Sequence, residues 1–72
     1  MKAMDAHPLE LMSLGHFAEA TLLSRKALRL YDNTGLLRPA WVDPDSAYRY
    51  YRRDQIGRAR LIRLMREMEM PL

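Results

Sequence analysis

Cysteine is absent from the 72 residues, so neither disulfide staples nor thiolate metal sites can hold this fold together. Histidine is almost absent as well. His7 and His16 have no carboxylate or second histidine at ligand spacing around them, which removes the usual imidazole metal centre. Glycine occurs only three times and never as a phosphate-cradling loop, and Ser24 and Ser46 lack the histidine and carboxylate of a nucleophilic triad. The chain therefore reads as non-enzymatic, with no cofactor and no metal. No apolar run approaches the length that spans a bilayer, and Asp5 and Pro8 interrupt the stretch a signal peptide would need. A cytoplasmic protein with no membrane partner is the expectation.

What the chain has in quantity is arginine. Of its twelve basic residues ten are Arg, whose planar fork suits phosphate oxygens and guanine edges better than the point charge of Lys. The formal net charge of +3 hides an alternation along the chain. Residues 24–38 carry +3 and residues 49–66 carry +6, while the segments before, between and after them are each −2. Two basic blocks flanking a short acidic turn point to a polyanion partner.

Seventy-two residues suffice for one domain with one small core. Residues 1–11 show no sustained period and read as a flexible tail, leaving 12–72 as the domain. Ser13 caps a short helix through Thr21 that buries Leu14, Phe17 and Ala18. Leu22-Leu23 then lead tightly into a second helix capped by Ser24 and ended by Gly35, so that residues 13–34 read as a helix-turn-helix. Apolar and aromatic segments on both sides of Asp43-Pro44-Asp45-Ser46 predict a two-stranded hairpin within 36–51, its turn of type I. A third helix is expected over 53–69, with Leu61, Ile62, Leu64, Met65 and Met68 on its buried arc and Arg60, Arg63, Arg66 and Glu67 opposite. Exposure of Met68 or Met70 would mark a missing neighbour. The expected fold is mainly α, short helices plus a two-stranded wing.

The second helix carries the candidate binding residues. Ala27, Leu28 and Tyr31 recur at core spacing, which turns Arg25, Lys26 and Arg29 outward, as in a helix that enters the major groove. Ser24 caps that helix and offers a backbone N–H to phosphate. On the wing, Arg49 alternates with Tyr48 and Tyr50 and so faces away from them, toward a phosphate. Tyr48 either hydrogen-bonds phosphate or packs. Trp41 is expected as the plug between wing and helices.

The segments Ser13–Ala18, Leu23–Leu37, Val42–Tyr51 and Leu64–Leu72 together resemble the DNA-binding domain of the MerR family of bacterial transcription regulators, over residues 12–72. The pairing of L-R-L-Y-D-N-T-G-L-L with V-D-P-D-S-A-Y-R-Y-Y is the specific part, and it is most similar to the drug-sensing branch of BmrR and TipA type. That resemblance implies a winged helix-turn-helix in bacterial transcription regulation. The helix from Ser24 would lie in the major groove and the Tyr48–Tyr51 wing along the backbone, on a pseudo-palindromic promoter at the nucleoid. It also implies a homodimer in the full-length protein, RNA polymerase engaged indirectly through distorted DNA, and a small-molecule effector bound by a domain absent here. The chain ends where the family's next helix would begin, as an excised domain or a natural minimal form.

Several positions depart from the family pattern. Leu22 and Ala47 stand where glycine is usual, so the first turn needs a negative φ at Leu22 or some strain. Leu30 replaces a common Tyr and its hydroxyl. His16 removes the Glu or Gln that would close a capping box with Ser13, Arg52 replaces a capping Ser, and Glu69 replaces a terminal Gly. Two other functions stay open on sequence. One is an architectural or recombination accessory DNA binder of excisionase type, and the other is a protein-interaction module whose DNA-binding face is vestigial.

Overall fold

The computed structural model describes residues 11–69; the readings made for residues 1–10, Met70 and Pro71-Leu72 lie outside them. The elements are β1 (Leu11–Ser13), α1 (Leu14–Thr21), α2 (Arg25–Thr34), β2 (Trp41–Val42), β3 (Arg49–Arg52), a single 3₁₀ turn over Arg53–Gln55, and α3 (Ile56–Glu69). No helix among the described residues is long and apolar enough to cross a membrane.

The helix-turn-helix forms for the reasons the residues suggest. The Ser13 Oγ accepts the His16 N–H at 3.1 Å and starts α1, and the Ser24 Oγ accepts the Ala27 N–H at 2.9 Å and starts α2. These caps satisfy donors that each first turn leaves orphaned. Between the helices the Thr21 hydroxyl, buried, donates to the Phe17 carbonyl at 2.8 Å and accepts the Leu23 N–H at 3.3 Å. The turn is thus made by a side chain whose role the sequence did not advertise. Gly35, at φ +81°, ends α2, and the Leu36 N–H returns to the Tyr31 carbonyl.

Leu22 sits at φ 63°, in the left-handed region, which rules out the negative-φ turn and leaves the strained one. Its side chain is 71% exposed while the next residue, Leu23, is buried. Left-handed backbone costs a non-glycine residue roughly 1–2 kcal/mol, of which a glycine forfeits about 0.4–1 kcal/mol through the freedom of its unfolded chain. Leu22→Gly should therefore raise stability by about 0.5–1 kcal/mol, read as a later urea midpoint with an unchanged slope. A drop in stability would show that the exposed Leu22 side chain packs usefully. Ala47, the other position where glycine is usual, has the same conformation at φ 64°.

The expected two-stranded hairpin forms from β2 and β3, and β1, which was not expected, joins it to make a three-stranded sheet. β3 is central, pairing antiparallel with β2 through Trp41↔Tyr50 and Val42↔Arg49 and with β1 through Leu11↔Arg52, Met12↔Tyr51 and Ser13↔Tyr50. Ser13 thus ends a strand and caps a helix at once. The hairpin loop is held by Asp43, whose Oδ1 accepts the Asp45 N–H at 2.8 Å and whose carbonyl accepts the Ala47 N–H at 2.8 Å. That closure spans one residue more than the i to i+3 bond of a type I turn.

Pairing register also corrects the place of Trp41. Cross-strand partners share a face of the sheet, so Trp41 lies with Tyr50 on the outer face, 46% exposed, rings tilted at a centroid distance of 5.5 Å. The plug is Tyr51, one residue along β3 and therefore on the inner face. Its ring stacks on Phe17 at 4.2 Å and 8°, and both are fully buried. Around that pair the core gathers Leu14, Leu23, Leu28, Tyr31, Leu37, Ala59 and Ile62.

α3 touches this core by a narrower stripe than its periodicity suggests. Ala59 and Ile62 are buried, whereas Leu61, Leu64, Met65 and Met68 are exposed, so most of the expected apolar arc has no cover among the described residues. Its arginines correct the expectation in the opposite sense. Arg60 reaches back to donate to the Ala20 carbonyl at 3.0 Å, and Arg66 donates to the Tyr31 hydroxyl at 2.6 Å. Their long stems let charged heads cross to neighbouring helices from positions the helical period places outside.

Candidate nucleic-acid interface

α2 presents two faces of different chemistry. Leu28 and Tyr31 are buried and Ala27 packs partly against them. Directly opposite, Lys26, Arg29, Leu30 and Asn33 are exposed, at the i, i+3, i+4, i+7 spacing of one outward stripe. Sequence reading named Lys26 and Arg29 and missed Asn33. The same spacing counted on from Lys26 would have found it, and its amide has the donor and acceptor pair that matches adenine in the major groove.

Arg25 is exposed too, but on the flank of that stripe. Its guanidinium lies over Gly15 of α1, so close that a Cβ built on Gly15 would stand 2.9 Å from an Arg25 nitrogen. Arg25 thus leans toward the first turn of α1 and away from the stripe's centre. The structure brings Ser24, Arg25, Lys26 and Arg29 together on one helix end, with Ser24 also exposed.

The two basic blocks of the sequence separate by what their side chains already hold. In the second block Arg49 donates from Nε to Asp32 at 2.7 Å, Arg52 pairs with Asp54 at 3.0 Å and Arg63 with Glu67 at 3.1 Å. Arg60 and Arg66 are committed to Ala20 and Tyr31 as above. In the first block Arg25, Lys26 and Arg29 hold no ion pair or side-chain hydrogen bond among the described residues. Much of the larger charge is spent on the fold, and the smaller one is available.

The wing candidates point to different sides. Tyr48 is exposed on the outer face, its ring edge-on to Tyr50 at 5.2 Å, so that Trp41, Tyr48 and Tyr50 form one aromatic cluster. Arg49 faces inward, and its half-buried pair with Asp32 ties β3 to the C-terminal half of α2. That pair takes one of the five guanidinium donors. Beside it the buried Tyr51 hydroxyl has no hydrogen-bond partner among the described residues. Burial first, and the nearby Asp32 charge second, push its pKa above 10.0 against the opposing pull of Arg49, so it stays neutral.

Residues 12–72 match the family described as MerR HTH family regulatory protein. The chain is 42% identical over 60 residues to the multidrug-efflux transporter 1 regulator of Bacillus subtilis (strain 168), which covers 83% of this chain and 22% of that protein. It is 37% identical over 62 residues to the transcriptional regulator BrlR of Pseudomonas aeruginosa, covering 86% of this chain and 23% of that one. In structure it is similar to a chain of the cryo-EM structure of an EcmrR–DNA complex in EcmrR-RPo, with a TM-score of 0.75 and 31% identity over 85% of this chain and 23% of that one. The chain spans less than a quarter of the length of these relatives.

Proposed function

The chain belongs to the MerR family of helix-turn-helix regulatory proteins, and from that premise we propose that it binds double-stranded promoter DNA with α2 in the major groove. The observation that carries this reading is the outward stripe of α2. Among the described residues its cations Lys26 and Arg29, with Arg25 beside them, have no intramolecular partner and gather on one helix end, whereas Arg49, Arg52, Arg60, Arg63 and Arg66 are held by the fold and the other unpartnered arginines, Arg38, Arg53 and Arg58, lie outside α2.

The parts take different roles by placement. Arg29 and Lys26, on the stripe, reach base edges, where a forked guanidinium discriminates guanine by about 1–3 kcal/mol. Arg25, on the flank, and the backbone N–H groups that follow the Ser24 cap hold phosphate. On the wing, the Tyr48 hydroxyl and the remaining donors of Arg49 meet the phosphate backbone, with Asp32 fixing the angle at which Arg49 emerges. The described relatives are regulators by name, and the similar structure holds DNA. In a chain of the relatives' length, the same domain would act as a homodimer on a pseudo-palindromic site in the cytoplasm. It would reach RNA polymerase through the DNA it distorts and answer to a small-molecule effector bound by a further domain. Residues 12–72 are the binding domain in this reading, and catalysis has no part in it.

The test is titration of the 72-residue chain with a duplex selected from a random-sequence pool and with unselected duplex, each over a range of salt concentrations. The reading expects a clear preference for the selected duplex and an affinity that falls steeply as salt rises. Arg49→Ala should weaken both complexes alike and lower the salt slope by about one unit, because a phosphate contact has no base information. Equal affinity for selected and unselected duplex would reject sequence-specific binding. A loss confined to the selected duplex would make Arg49 a base or groove reader.

A further inference from the structure

We infer that Leu30 reads the C5-methyl group of a thymine and is a specificity-determining residue of this domain. The inference rests on the proposal that α2 enters the major groove.

Leu30 lies on the outward stripe of α2 between Lys26 and Asn33, on the opposite flank from Arg29, and is 55% exposed. The helix does not need it for folding. The apolar face of α2 is supplied by Leu28 and Tyr31 with Ala27 beside them, and Leu30 takes no part in the core cluster. The other three members of the stripe have hydrogen-bonding groups suited to base edges or phosphate; Leu30 has none. A side chain without donor or acceptor can gain nothing from a phosphate oxygen, and burying it against one would strip water from an anion without replacement. On the floor of the major groove the apolar feature displayed by the four unmodified bases is the thymine methyl. Placed there, the branched end of Leu30 leaves water on a surface of its own kind. Because Leu30 and Arg29 are sequence neighbours projecting to either side of the stripe, the methyl belongs to a base pair next to the one Arg29 contacts.

The selected duplex of the preceding subsection provides the probe. Each of its thymines is replaced singly by deoxyuridine, which removes the methyl and leaves every hydrogen-bonding group in place. Removing one methyl from a buried apolar contact should weaken the wild-type chain about fourfold at one thymine. Leu30→Ala, an exposed substitution that leaves the core untouched, should bind the parent duplex about fourfold more weakly and be indifferent to uracil at that same position. Wild-type affinity unchanged by uracil at every thymine, or the same loss in Leu30→Ala, would overturn the Leu30 assignment while the preference for selected duplex persists. Absence of that preference would overturn the groove reading and the Leu30 assignment with it.

Discussion

Phe17→Ala is expected to unfold the domain. Phe17 has no exposed surface and stacks face to face on Tyr51, and through that contact α1 is fastened to the central strand. Truncating a buried phenylalanine costs about 3–5 kcal/mol, the lost transfer energy plus the void left behind. A domain with one small core has a total stability of only about 3–5 kcal/mol. The void cannot collapse cheaply, because the facing ring is fixed in β3 and pinned by pairing on both sides. Far-ultraviolet circular dichroism of the purified variant at room temperature should show most of the helix signal gone. Leu61→Ala, an exposed apolar residue on α3, should stay within about 0.5 kcal/mol of wild type and serves as the control. A folded Phe17→Ala variant with a well-formed melting transition would mean that the stacked pair is not the centre of the core.

The second large effect is on affinity. One copy of the chain offers a single ten-residue recognition helix and a short wing. Its few free cations place its expected dissociation constant near the non-specific range of about 10⁻⁴–10⁻⁶ M. Two copies joined through an appended two-stranded coiled coil, spaced so that both α2 helices reach successive turns of one duplex, should bind about 10²–10⁴-fold more tightly. No new DNA contact is needed, because the second docking becomes intramolecular. Shift assays with half-site and full-site duplexes read this directly: the tethered form should gain on the full site and not on the half site. An equal gain on both would show that the appended coil itself touches DNA. Nanomolar binding of the untethered chain to a half site would show that one copy is sufficient.

The parts of this structure that a local sequence signal specifies were legible in advance. Ser13, Ser24 and Gly35 end helices by hydrogen bonds and backbone geometry confined to a few neighbouring residues, and those positions stand as read. Leu28 and Tyr31 follow from helical periodicity, and the cations of α2 follow from them by exclusion. What escaped was set by contacts distant in sequence. β1 is three residues long, too short to show an alternation, and exists because β3 has a free edge beside it. Tyr51 and not Trp41 is the plug because one step of strand register decides which face of the sheet a ring occupies. The partners of Arg49, Arg60 and Arg66 lie 17 to 40 residues away, so a charge count could not distinguish an arginine spent on the fold from one left for DNA. α3 showed a wide apolar arc, and how much of an arc is covered depends on what else is present to cover it.

Separating spent from available charge is the step on which the functional reading turns, and Arg29 tests it most directly. The measurement is the affinity of Arg29→Ala for the selected duplex and for unselected duplex in the same buffer, beside wild type. Arg29 is exposed and makes no intramolecular hydrogen bond or ion pair among the described residues, so its loss should leave the melting temperature unchanged. The account predicts about 1–3 kcal/mol less binding to the selected duplex, roughly 5- to 150-fold, with a much smaller loss on unselected duplex. Unchanged affinity for the selected duplex in a fully folded variant would contradict it, and would move the binding surface off the outward face of α2.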